Sequence, residues 1–112
     1  MKRLLTAVIA ASALTAAVPA LAQTYLDDRA SSMDQRIDNG LSDGSLTFGQ
    51  ASVLRSRLHD IERRQARYQD EGMAGWQSRE LNRSYDRLAD EITNARHDTS
   101  YRYRRLYDED VW

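Results

Sequence analysis

Hydrophobic positions along this chain fall into one unbroken run and three spaced stripes. The run extends from Leu4 to Ala22 and is mostly Ala, Thr and Ser, with Met1-Lys2-Arg3 before it and Pro19, then Ala20-Leu21-Ala22, at its end. A basic start, an apolar centre and a small-x-small site are the three parts of a secretory leader. They predict a signal peptide over residues 1–22 and a processed chain that begins at Gln23. The run approaches the ~20 residues that span a bilayer. Its Pro and its scarcity of Leu argue for removal, so no membrane insertion is expected after cleavage, and the protein is expected to be periplasmic or secreted.

The stripes predict helices. Leu26, Ala30, Met33 and Ile37 recur at steps of four, three and four, the apolar face of an amphipathic helix over about residues 25–39. Gly40 is its expected end, and the Asn, Gly, Asp and Ser content up to Ser45 predicts a loop. Over residues 48–71, Ala51, Leu54, Leu58, Ile61, Gln65 and Tyr68 form a heptad-like seam with Gln65 as its one polar member. Thr47 and Gln50 have the spacing of a capping box at the start of this helix, with Leu46 and Ala51 at the flanking staple positions. Gly72 is its natural stop. Gln77, Leu81, Tyr85, Leu88 and Ile92 carry a third helix over residues 76–96, and the short connection before it fits antiparallel neighbours.

The expected fold class is therefore all-α: a short helix packed on an antiparallel two-helix hairpin, a three-helix bundle. Residues 23–100 form this domain. Residues 101–112 show no helical stripe, split into a basic and an acidic half, and are expected to be a flexible aromatic and charged tail. The two long helices also resemble copies of each other. A shift of 27 residues aligns Leu46-Thr47-Phe48-Gly49-Gln50 with Met73-Ala74-Gly75-Trp76-Gln77, and Leu54, Leu58, Ile61 and Gln65 with Leu81, Tyr85, Leu88 and Ile92.

Composition narrows the function. The chain has no Cys, so an exported form would be held by packing alone. Without Lys2 and Arg3, the 16 basic residues fall to 14 Arg against 17 acids, a balance of −3. Such a surface does not call for nucleic acid. Outer positions offer ion pairs within each helix: Asp60 with Arg64, Arg83 with Asp86, and Arg87 with Glu91. His59 and His97 are the only imidazoles and read as solvated side chains. No nucleophile elbow, catalytic Cys or phosphate-cradling Gly loop is present in the sequence, so no enzyme and no cofactor are expected.

Leu46-Thr47-x-x-Gln50, at the start of a long helix in a small exported all-helical chain, resembles the LTxxQ motif of the Spy and CpxP family of periplasmic chaperones and stress regulators. That resemblance implies a cradle-like dimer that holds unfolded or aggregating envelope proteins. The chain is also similar to small exported all-helical alphaproteobacterial proteins of unknown function, in its Arg-rich run around a Gly-x-Leu-Thr helix start. This second resemblance implies the same build and no activity. If clients are bound, Phe48, Met73 and Trp76 are the expected apolar contacts, with Arg side chains as adaptable polar ones, and a homodimer would bury spare apolar surface. The plain alternative gives Leu46, Thr47 and Gln50 a capping role only, in a structural envelope protein with no ligand. A third reading takes residues 39–50 as a degenerate EF-hand-like loop, a calcium-responsive module with Asp43 as its sole carboxylate.

Overall fold

The computed structural model describes residues 20–109 and shows three helices, α1 (Ala20–Ser42), α2 (Phe48–Asp70) and α3 (Gly75–Glu109), each packed on the other two. No strand occurs among the described residues. This is the all-α three-helix bundle that the stripes specify. Most of the expected leader, residues 1–19, and the last three tail residues, 110–112, lie outside the described residues.

The stripes become the core. Leu26, Met33 and Ile37 of α1 meet Ala51, Leu54, Leu58 and Ile61 of α2 and Leu81, Tyr85, Leu88 and Ile92 of α3, all buried. Each large aliphatic side chain removed from water contributes ~1.5–3 kcal/mol, against ~1–2 kcal/mol of backbone entropy for every residue that is ordered. With no disulfide to restrict the unfolded chain, the three seams must mesh along their whole length.

Both connections also feed this core. Leu46 and Met73, each two residues before the start of α2 and α3, are 4 % and 1 % exposed. Met73 is thus a core residue, which corrects its assignment to the client-contact surface. The core lies directly beneath this four-residue connection and takes Met73, while Glu71 of the same connection faces solvent.

Three helix boundaries differ from expectation. α1 starts five residues early, at Ala20, and continues past Gly40 to Ser42. Gly40 does not stop the helix; it is buried inside it, because Leu46 folds back onto it. A Cβ at position 40 would lie 2.5 Å from Leu46 Cδ1 and 2.6 Å from Cγ. The chain actually reverses at Gly44, whose φ of +76° suits glycine, and the Leu46 N–H closes the loop on the Gly40 carbonyl at 2.9 Å. Gly72, at φ +78°, does stop α2 as expected. α3 runs 13 residues beyond 96, to Glu109, so helical backbone continues through most of the segment expected as a tail. Neither Gly nor Pro occurs between Trp76 and Glu109 to interrupt it. Its contact face also outlasts the apolar stripe: Ala95 packs on the core, and the Thr99 hydroxyl bonds Gln50 Oε1 at 2.8 Å.

Arginines bridge helices instead of lying along them. Asp86 pairs with Arg29 of α1, Glu91 with Arg57 of α2, and Arg64 crosses from α2 to Glu80 and Ser84 of α3. Arg55 of α2 reaches Asp38 of α1. The expected pairs within helices are displaced because a guanidinium on a long stem spans the groove between packed helices, and there a second helix supplies the carboxylate. Of the expected pairs, only that of Asp60 keeps a partner on its own helix, Arg63 rather than Arg64.

Candidate functional site

The segment that carries the LTxxQ resemblance is built as a clamp. Thr47 is the N-cap of α2: its Oγ1 accepts from the Gln50 N–H at 3.1 Å, and Gln50 Oε1 accepts from the Thr47 N–H at 2.9 Å. Leu46, next to it, is in the core against Gly40. Gln50 also takes the Thr99 hydroxyl, which ties the start of α2 to α3. Arg96 of α3 completes the attachment, with Nε donating to Ser45 Oγ at 2.8 Å and Nη2 to Asp43 Oδ2 at 2.7 Å. Leu46, Thr47 and Gln50 are therefore all engaged within the fold. Arg96 and Thr99 were not legible in the sequence, since both lie past the last apolar residue of the third stripe.

The same contacts bear on the calcium reading. Asp43 Oδ1 accepts from the Ser45 N–H while Oδ2 is held by Arg96. The Ser45 hydrogen bonds, ahead of the Arg96 charge, keep its carboxyl below the usual carboxylate range. Residues 39–42 are helical and cannot wrap a cation as an EF-hand loop does. Among the described residues no three His, Cys, Asp or Glu side chains gather as a metal site requires. His59 is exposed, 3.5 Å from Glu62.

Towards the end of the bundle that holds the α2–α3 connection, the three helices share a polar link. Gln65, 4 % exposed, donates from Nε2 to Asp27 Oδ1 of α1 at 2.6 Å and accepts from the Tyr85 hydroxyl of α3 at 2.6 Å. Arg29 lies over the Tyr85 ring at 5.7 Å and over Tyr25 at 6.0 Å, and bonds the Asn82 carbonyl and side chain. Burial, then the negative charges of Glu62 and Asp27, push the Tyr85 phenol up to about 12, with Arg29 opposing. The seam reading placed Gln65 correctly; Asp27 and Arg29 carried no signal, being charges beside an apolar stripe.

The 27-residue correspondence has a structural counterpart. Ala74 precedes α3 as Thr47 precedes α2, and its N–H donates to Gln77 Oε1 at 2.8 Å, matching the Thr47–Gln50 bond. Met73 is buried as Leu46 is. Only the cap hydroxyl is missing.

The aromatic contacts proposed for clients do not form one patch. Phe48 is 86 % exposed at the first residue of α2, whereas Trp76 is 56 % exposed at the start of α3, beside Tyr68 with ring centroids 6.1 Å apart. Since α2 runs between them, they are separated by about 33 Å, at 1.5 Å per helical residue. Phe48 borders an open hollow of about 490 Å³ lined by Leu41, Arg55, His59 and Arg63. A smaller one, about 260 Å³, lies between α2 and α3 with Arg57, Arg64 and Arg87 at its rim. No described helix is long and apolar enough to cross a membrane. What fold and clamp define is a small helical bundle with its caps and connections locked inward. No family model, curated protein or solved structure matches the chain.

Two outcomes follow from these contacts. Ala74→Thr should restore the absent cap bond and stabilise the protein by ~0.5–2 kcal/mol, as Thr47→Ala should destabilise it by a similar amount; a chemical-denaturation midpoint unmoved by Ala74→Thr contradicts the matched geometry. The second concerns pH. Because the Tyr85 phenol is raised in the folded state from an ordinary 10.0 to about 12, its contribution is complete below pH 10 and is lost as the pH climbs towards 12. Tyr85→Phe should flatten that alkaline loss while costing ~1–3 kcal/mol at neutral pH by leaving Gln65 Oε1 without its donor. An unchanged alkaline slope in midpoints measured from pH 8 to 12 would contradict the assignment.

Proposed function

We propose that this protein is a non-enzymatic helical binding protein of the periplasm, exported by its leader, that holds exposed apolar segments of envelope or unfolded proteins in a chaperone-like manner. Phe48 carries the reading. Its ring is 86 % exposed at the edge of a hollow rimmed by Arg55, His59 and Arg63. A single exposed apolar residue is ordinary on a protein surface. A ring beside a concavity, with arginines whose stems cover apolar surface and whose heads turn to varied acceptors, supports recognition of segments that differ in sequence. Trp76 provides a second contact at the opposite end of α2, so an extended client would touch the bundle at two places rather than lie in one groove.

Leu46, Thr47 and Gln50 act in this reading as the mount for Phe48. They fix the first turn of α2 and so fix the ring that projects from it. Because Phe48 lies outside the core, its loss separates binding from folding. The purified protein should suppress aggregation of an unrelated denatured protein at near-stoichiometric ratios, and Phe48→Ser should remove most of that effect with the melting temperature unchanged. Light-scattering traces that are identical with and without the protein would reject the proposal.

A further inference from the structure

We propose that Gln23 becomes a modification site on export: its freed α-amine attacks its own side-chain amide carbon, closing a five-membered lactam and expelling ammonia. The inference rests on the export reading, because cleavage after Ala22 is what makes Gln23 the first residue. The step needs no co-reactant. One C–N bond forms in the ring, the carboxamide C–N bond breaks, and the leaving nitrogen departs with a proton taken from the amine. The attacking amine must be neutral, which an α-amino group becomes near pH 7.7–8.0 by about half.

The start of α1 favours this chemistry in three ways. The helix runs through the cleavage site, and Thr24 Oγ1 bonds the Ala20 carbonyl at 3.1 Å. Removal of residues 1–22 deletes that acceptor together with the turn before it, so the turn at Gln23 is released. The release also disturbs no core contact. Leu26 is the first buried residue of α1, while Thr24 and Tyr25 are exposed. Finally, the new first turn, Gln23-Thr24-Tyr25-Leu26, contains no carboxylate. A terminal ammonium would therefore lie against the positive end of the helix dipole, the first carboxylate on its face, Asp27, being already bonded to Gln65, and lactam formation removes that charge.

Expression of the full chain with its leader in a bacterium, followed by intact-mass measurement and N-terminal sequencing of envelope-fraction protein, tests this directly. The expected product starts at Gln23, is lighter by one ammonia and is blocked to sequencing, whereas Gln23→Ala starts at the same position and sequences freely. A product that starts at Gln23 and keeps its free amine through incubation at mildly alkaline pH overturns the lactam alone. An unprocessed chain of 112 residues overturns both the lactam and the export reading.

Discussion

A tyrosine ring with no exposed surface, placed where three helices meet, must find a partner for its hydroxyl inside the protein. Tyr85 finds it in Gln65, and Gln65 finds its second partner in Asp27, so one chain of hydrogen bonds passes through all three helices. Apolar seams of Leu and Ile are tolerant of sliding, since one aliphatic contact resembles the next. This link is not. Moving α3 by one turn would shift Tyr85 by about 5.4 Å, leave the phenol and Gln65 Oε1 unpaired in an apolar core, and forfeit several kcal/mol of desolvation. Register in this bundle is therefore set by its polar member, and the apolar residues supply the bulk of the driving force once the register is chosen.

The connections obey the same constraint. Leu46 can enter the core only because Gly40 leaves room for it inside α1, and that packing fixes where α2 begins. The Thr47 and Gln50 cap then orients the first turn, and Arg96 and Thr99 bind the loop to α3. Each contact restricts the next. The motif that resembles a chaperone signature is, in physical terms, the hinge-free corner of the bundle, and the side chain it displays outward is Phe48.

Much of this was legible in the spacing of apolar residues. Leu26, Met33, Ile37, Leu54, Leu58, Ile61, Leu81, Leu88 and Ile92 lie in the core because steps of three and four place them on one face. Gly72 and the Thr47 cap were readable from local chemistry. Long-range contacts were not. Gly40 reads as a stop until Leu46 is seen to return over it, and Met73 reads as a surface residue until the connection is seen to lay it on the core, although its alignment with Leu46 was an available signal. The arginine bridges depend on which helix lies opposite, and helix periodicity alone leaves that open. The end of α3 was hidden because Ala95 and Thr99 continue its contact face with small and polar side chains. The candidate site was half legible: the cap residues were apparent, and the separation of Phe48 from Trp76 required the hairpin.

The most direct test of register set by the polar link is a double-mutant cycle on Tyr85→Phe and Gln65→Leu, with unfolding free energies from chemical denaturation. The account predicts strong coupling, ~0.5–3 kcal/mol, because the second substitution removes an acceptor that the first has already orphaned. Additive losses, with no coupling beyond experimental error, would contradict it.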